Sequence, residues 1–271
     1  MKGLRLFAAL VAAAVVVACG EKNAAQHISA PTAGSAVKFF NFGVNAPAVN
    51  FYADTQKISA VSSATCSSAV DGKTTDTLCL SKGQETTNGT AYGANASTNG
   101  LYYSLAPGSY TLSGRITATT DNGVAISNTS ATLENGKFYS YYLSGIYNTA
   151  SKTVEGFYVE DPLPAMDLTT TYVRFVNASS NSQPMTLHLK NASGADTTVG
   201  AAMAYKGASA FVRVDPGNYD ISTYVAGSTT PVITKTGVSF NTGRVYTVTA
   251  YGDMTVATGT NKPTLDNTAN R

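Results

Sequence analysis

The chain has 271 residues, of which 13% are charged, and it carries 18 basic and 16 acidic side chains. Two of the basic residues, Lys2 and Arg5, lie in the first five positions, and the other 16 balance the acidic residues. This balance excludes an electrostatic preference for nucleic acid or anionic lipid in the remainder of the chain. Short runs of β-branched and aromatic residues between turn residues indicate an extracytoplasmic all-β protein.

The amino terminus predicts a signal peptide over residues 1–18. Two cations precede an apolar run, 6–17, which is too short to cross a bilayer as a helix, since about 20 residues are needed. The residues Val16-Val17-Ala18-Cys19 resemble the bacterial lipobox, so we expect cleavage before Cys19 and a diacylglyceryl thioether on its sulfur. The alternative is an ordinary signal peptide that contains a cysteine by chance.

An acylated Cys19 predicts a membrane-anchored protein, because two or more acyl chains hold a protein stably whereas one holds it marginally. Residues 19–35, rich in Ala, Ser and Asn, are predicted to be the lipidated tether. Gly20 takes the place of the Asp that often retains lipoproteins at the inner membrane of enteric bacteria. The sequence therefore favours the outer membrane, with the protein facing the periplasm or the cell surface.

Internal repetition organises the rest of the chain. Three blocks recur in the same order: "VKFFNFGVNAPAVNFYAD" (37–54) with "VRFVNASSNSQPMTLHLK" (173–190), "LAPGSYTLS" (105–113) with "VDPGNYDIS" (214–222), and "NGKFYSYYLSG" (135–145) with "TGRVYTVTAYG" (242–252). The offset between matched residues falls from 136 in the first block to 109 in the second. The first copy therefore carries about 27 extra residues before its Pro-Gly turn, an insertion of the kind that surface loops tolerate.

The blocks predict strands joined by turns. Met185, Leu187 and Leu189 alternate with polar residues, and Pro-Gly pairs precede further alternating runs. Each copy offers about seven short strands, which predicts two tandem immunoglobulin-like antiparallel β-sandwich domains at 36–159 and 171–257.

Three segments outside these strands are also predicted. Cys66 and Cys79 lie in the insertion of the first copy, and a cysteine pair in an oxidising compartment favours a disulfide over a metal or redox site. The segment 160–170, with Pro162 and Pro164, is predicted to be a stiff extended linker. Residues 258–271 are predicted to be a polar tail.

The repeated blocks resemble a bacterial family described as domain of unknown function 4397, whose pattern opens V-R-F-V-N-A-S and continues into an alternating strand and a Pro-Gly-x-Tyr turn. "YVRFVNASSNS" (172–182) is close to that opening, and "APAVNFYAD" (46–54) carries the strand. The first copy departs from the pattern at Phe42-Gly43, and the second at Met185-Thr186. The resemblance implies a β-sandwich and an envelope location, and it supplies no catalytic residues.

The sequence offers little chemistry. Of the two histidines, His27 falls in the tether, and His188 falls on the outward side of a strand, where a solvated polar residue is expected rather than a base. Asp71 and Asp76 in the insertion could meet a calcium ion, but two carboxylates supply too few ligands, since calcium takes about six or more oxygens. We therefore expect no catalytic, metal-binding or cofactor-binding residue.

The 16 tyrosines, in a chain without tryptophan, could form a recognition surface or pack in an aromatic core; the core is favoured. The sequence thus predicts a lipid-anchored, non-catalytic binding, adhesion or structural module of the envelope, with a protein or glycan ligand. The alternatives are an envelope hydrolase whose carboxylates meet only in the fold, and a passive filler of the envelope.

Overall fold

The computed structural model describes residues 34–59, 89–96 and 102–271, which form strands and turns. In the first half these strands are β1 (Ser35–Asn41), β2 (Val49–Ala53), β3 (Gln56–Lys57), β4 (Ala94–Asn95), β5 (Tyr103–Leu105), β6 (Gly108–Ile116), β7 (Thr129–Leu133), β8 (Phe138–Asn148) and β9 (Thr153–Glu160). The second half contains β10 (Thr171–Asn177), β11 (Met185–Asn191), β12 (Asp196–Met203), β13 (Val212–Val214), β14 (Gly217–Val225), β15 (Ile233–Phe240), β16 (Val245–Tyr251) and β17 (Thr264–Ala269). The described residues contain no helix of the length and apolarity that crossing a bilayer requires.

The two halves repeat one strand order, which confirms the predicted all-β fold. In the first half β3-β2-β6-β7 form one sheet, and β4-β1-β8-β9 form the other with β5 also paired to β1. In the second half the corresponding sheets are β12-β11-β14-β15 and β13-β10-β16-β17. The antiparallel prediction needs one amendment, because β1 pairs with β8 and β10 pairs with β16 in parallel. The long chain between the partners of each pair makes a parallel crossover possible.

Each half has its own hydrophobic core between its two sheets. In β1 the alternate residues Val37 and Phe39 point into the first core, and in β10 their counterparts Val173 and Phe175 point into the second. Close approach of the sheets is part of this packing, because a Cβ on Gly114 would lie 2.8 Å from a methyl group of Leu143. Alternate residues of β1 and β10 therefore build the two cores.

The repeated tyrosines fix the turns that precede their strands. The hydroxyls of Tyr110 and Tyr219 donate to the carbonyls of Ala106 and Asp215, four residues earlier, at 2.8 and 2.7 Å. These bonds tie the Pro-Gly turn to the strand that follows it, in both halves. They give the Pro-Gly-x-Tyr pattern a physical role, since the phenol satisfies a turn carbonyl that the backbone leaves free.

The carboxyl-terminal segment corrects one prediction. Residues 258–271, predicted to be a polar tail, include β17, which pairs with β16 along its whole length. Leu265 is buried in the second core, and the second sandwich extends beyond the predicted boundary at 257. Composition concealed this strand because backbone pairing holds it to β16, and only one of its side chains is strongly apolar.

The segment 160–170 joins the two halves without holding them apart. No strand lies between Asp161 and Thr170, yet Asp161 is buried, and Arg271 donates to the carbonyl of Pro164 at 2.9 Å. The described residues form one compact unit in which the two sandwiches pack directly against each other. The segment therefore connects two sandwiches that are in direct contact, because residues of both halves share one buried apolar cluster.

Candidate functional site

An apolar patch joins the sandwiches. It is built from residues that point away from their own cores, on the sheets β1-β8-β9 and β10-β16. Its buried members are Phe40, Phe42, Tyr142, Phe157, Val176 and Ala178. The rings of Phe40 and Tyr142 stack with centroids 4.7 Å apart, and those of Phe42 and Tyr251, from opposite halves, stack at 4.1 Å. We call this patch, with the polar groups described next, the inter-sandwich interface.

Arg174 is the centre of the polar part of the inter-sandwich interface. Its guanidinium forms an ion pair with Asp161 and donates to the Glu160 carbonyl and the Thr247 hydroxyl, both at 2.9 Å. The Asp161 carboxylate also accepts hydrogen bonds from the hydroxyls of Tyr102 and Ser140, both at 2.7 Å. The side chains of Arg174 and Asp161 are completely buried. A buried charge pair with its remaining lone pairs and protons satisfied is the arrangement in which such a pair is tolerated.

Lys38 occupies in β1 the place that Arg174 occupies in β10. Its side chain is buried, donates to the Ala269 carbonyl at 2.5 Å and lies 4.4 Å from the centroid of the Tyr102 ring. Ala269 ends β17, as Glu160 ends β9. Each half therefore sends one buried cation to the end of the last strand of the other half, and the two contacts are reciprocal.

Burial sets the pKa values in this interface. Desolvation lowers the pKa of Lys38 to about 8, because it outweighs the attraction of Asp161, and the charge of Arg174 lowers it further. Desolvation also raises the pKa of Tyr102, and the neighbouring Asp161 carboxylate adds to that rise. Desolvation also raises the pKa of Asp266 in β17, although the hydrogen bond from Thr268 and the charge of Lys235 act to lower it.

The lowered pKa of Lys38 predicts a pH-dependent stability. The unfolded chain binds the Lys38 proton more tightly than the folded one, so the free energy of unfolding rises with pH between the two pKa values. At 1.36 kcal/mol per unit, we expect a rise of about 2 kcal/mol between pH 7 and about 9.5, measured by urea unfolding at several pH values. In Lys38→Met this rise should disappear, whereas the exposed Lys137→Met should retain it. An unchanged pH slope in Lys38→Met would contradict the assignment.

The predicted cysteine sites lie outside the described residues. Cys19, the lipid attachment site, and Cys66 with Cys79, the disulfide pair, therefore remain predictions, and His27 is also outside. His188 lies on the outward face of the second sandwich, where its Nδ1 is 3.1 Å from an Asp196 carboxylate oxygen. This is the partly solvated polar position that strand alternation predicts.

The tyrosine clusters contribute mainly to the interior. Tyr139, Tyr141 and Tyr142 are buried, the first two in the first core and the third in the inter-sandwich interface. The Tyr141 hydroxyl lies 2.7 Å from the Ser127 hydroxyl, which provides the polar partner that a buried phenol needs. Tyr102 and Tyr103 are half-buried, and Tyr102 belongs to the interface.

Sequence reasoning missed the two interface cations. A lysine or arginine at an alternate position of a strand ordinarily faces water. A signal was nevertheless present, because in "VKFF" and "VRFV" the cation is the only polar residue in an apolar run. Such runs are typical of strands buried on both faces.

Two surface clefts lie outside the apolar patch of the inter-sandwich interface. One, of about 360 Å³, lies beside the linker and includes Glu160 and Asp161; the other, of about 490 Å³, lies between β15 and β17 and includes Lys235 and Lys262. Glu160 pairs with Lys137 at 3.1 Å and Asp161 with Arg174, so these two carboxylates are engaged in separate ion pairs. Within the described ranges, no three His, Cys, Asp or Glu side chains are grouped as a metal site.

The repeated strand order and the buried contact between halves define an all-β protein of two stacked sandwiches. The chain belongs to the family described as domain of unknown function DUF4397, whose family model matches residues 35–188. That match covers the first sandwich and continues through β10 into β11. No curated protein matches the chain.

Two solved structures are similar to part of the chain. One is titled "Crystal structure of wild type pneumolysin", with 9% identity and a TM-score of 0.22 over 65% of this chain and 32% of that chain. The other is titled "Trapped Toxin", with 10% identity and a TM-score of 0.21 over 70% of this chain and 34% of that chain. The chain spans about a third of the length of each, and TM-scores this low carry no argument about its function.

Proposed function

We propose that this protein is a lipid-anchored component of the bacterial cell envelope that acts as a non-catalytic binding, adhesion or structural module. Cys19 is the lipid attachment site, and residues 20–33 tether the anchor to the first sandwich. The outer membrane is favoured over the inner one because Gly20 follows the cysteine. The partner is an envelope protein or glycan held near the membrane by the anchor, and neither a cofactor nor nucleic acid takes part.

One observation carries the non-catalytic part of this proposal. The buried ionisable groups at the centre of the molecule, Lys38, Asp161 and Arg174, all contact groups that join the sandwiches. A catalytic acid or base must reach a substrate proton, whereas the side chains of these three groups are buried and already bonded to protein groups. Their chemistry is consistent with a rigid support for recognition loops rather than with turnover.

We further propose that the two sandwiches are two copies of the DUF4397 module. The matched sequence blocks fall on corresponding strands, and the corresponding sheets have the same strand order. Because the family model itself ends at residue 188, the second copy rests on this internal repetition. Two linked copies can bind a repetitive ligand with greater avidity than one.

A first test is to remove the anchor. In Cys19→Ala, we expect loss of the lipid-modified mass and release of the protein from the membrane fraction, because the acyl chains supply the attachment. Cys66→Ala is the matched control and should remain in the membranes. Surface crosslinking in the same cells should capture one or a few partners with the native chain and fewer with Cys19→Ala. Unchanged fractionation and mass in Cys19→Ala would refute the anchor, and an absence of specific crosslinks would refute the binding role.

The Cys66–Cys79 disulfide is proposed to staple the insertion of the first sandwich. Closing a loop of this size contributes on the order of 3 kcal/mol in the chain-entropy model. Peptide mapping of the native protein without reductant should recover the two cysteines as one linked pair that separates on reduction. Free thiols at both positions would disprove the staple.

A further inference from the structure

One end of the molecule gathers the linker and both ends of the described chain. Tyr139 pairs with Glu160 where β8 begins and β9 ends, and the amide of Gly136 donates to the Gly34 carbonyl at 2.8 Å in the same region. The linker, 161–170, starts there, and Arg271 contacts it through Pro164. We call this surface, comprising Gly34, residues 161–170 and Arg271, the linker end.

The linker end carries two exposed apolar side chains. Met166 is 66% exposed and Leu168 is 71% exposed, and among the large hydrophobic residues of the described chain these are the two highest values. They lie two residues apart on a segment that belongs to no sheet. Apolar side chains presented together by one loop can bury their area in a lipid interface, and binding there grows with the apolar area buried.

The path of the chain indicates that the linker end faces the membrane. The 15 residues from Cys19 to Gly34 reach at most about 50 Å when extended, and they enter the described structure at the linker end. The opposite end of the sandwich lies farther away by the length of β8, about 36 Å for its 11 residues. An acyl anchor on Cys19 therefore gives the linker end a higher effective concentration beside the bilayer than the opposite end.

We propose that the linker end is a membrane-contact surface and that Met166 and Leu168 insert into the lipid interface. This inference rests on the proposed lipid anchor. The contact is mainly apolar, because Lys137 is paired with Glu134 and Glu160 and the Arg271 guanidinium donates to the Pro164 carbonyl. Asp167, between the two apolar residues, accepts hydrogen bonds from Thr169 and stays at the water side of the interface. Anionic lipid should therefore add little to it.

The absence of tryptophan from the chain allows a direct test. Leu168→Trp places a single fluorophore at the linker end, and Ile146→Trp places one at the opposite end of β8, where Ile146 is 52% exposed. The lipid-modified full-length proteins are reconstituted into phosphatidylcholine vesicles whose acyl chains are either brominated or not. We expect bromination to quench the emission of Leu168→Trp by at least half and that of Ile146→Trp by less than a tenth. Met166→Trp is the second linker-end probe in case Leu168→Trp fails to fold.

The outcomes separate this contact from the anchor. If both variants float with the vesicles and neither is quenched, the anchor stands and the membrane contact is overturned. If the proteins do not float at all, the anchor fails and the contact fails with it. Emission that shifts to the blue with protein concentration, without quenching by bromine, would show a second copy covering the patch and would also overturn the proposal. Equal quenching with phosphatidylglycerol included would confirm that the contact does not depend on charge.

Discussion

Replacing Arg174 by methionine should lower the free energy of unfolding by about 3–5 kcal/mol, because it leaves the buried Asp161 carboxylate without its cation. Methionine fills much of the arginine volume, so the loss arises from charge rather than from a cavity. Tyr102 and Ser140 still donate to Asp161, yet neither hydroxyl can balance a full charge in this environment. Urea denaturation of the wild type and variant, monitored by circular dichroism, measures the difference.

A second substitution distinguishes an unpaired charge from lost packing. In Arg174→Met combined with Asp161→Asn, the uncompensated charge is gone, and we expect much of the stability to return. Arg244→Met is the matched control, because Arg244 is exposed at the turn before β16, and its replacement should change the free energy of unfolding by no more than about 0.5 kcal/mol. A loss below about 1 kcal/mol in the single variant Arg174→Met would contradict the role of the pair.

Replacing Tyr142 by alanine should cost about 3–5 kcal/mol, because it removes the central ring of the inter-sandwich interface. This ring is fully buried and stacks on Phe40 at 4.7 Å and on Phe157 at 5.1 Å. The cavity would lie between the sandwiches rather than within either core. We therefore expect the wild type to unfold in one transition and Tyr142→Ala in two, with the cores themselves retained.

Calorimetry of Tyr142→Ala measures this effect. Tyr142→Phe keeps the ring and should stay within about 1 kcal/mol of the wild type, with one transition. Limited proteolysis gives an independent readout. Cleavage in the exposed part of 160–170 should leave the wild-type halves associated during gel filtration and allow the Tyr142→Ala halves to separate. Two transitions in the wild type itself would show that the interface does not couple the sandwiches.

The all-β class and the inward-facing residues of the alternating strands could be predicted from sequence because both depend on local pattern. Alternation in the repeated blocks places Met185, Leu187 and Leu189 in the second core, as observed. Pro-Gly pairs mark turns through backbone geometry that few other residues share. These signals are properties of short segments and need no knowledge of what packs against them.

The inter-sandwich interface could not be predicted in the same way. Alternation assigns one face of a strand to the core and the other to water, but β1, β8, β10 and β16 are buried on both faces. Lys38 and Arg174 were therefore assigned no role. The partner of Lys38, Ala269, lies 231 residues away in the chain, and the partner of Arg174, Asp161, lies 13 residues away, so no local pattern reveals either contact. Strand β17 was missed for a related reason, since its pairing with β16 is made by the backbone. The cysteine predictions depend on sequence alone, because all three residues lie outside the described ranges.

The exchange of cations between the halves has the geometry of an isologous contact, in which the same patch on each partner meets its counterpart. In a homodimer, such a contact forms only above a threshold concentration of subunits. Here a single polypeptide carries both partners, so Lys38 and Arg174 complete the contact within every molecule. The protein thus has the quaternary architecture of a dimer without its concentration dependence, and it stays paired even when only a few copies are spread over a cell.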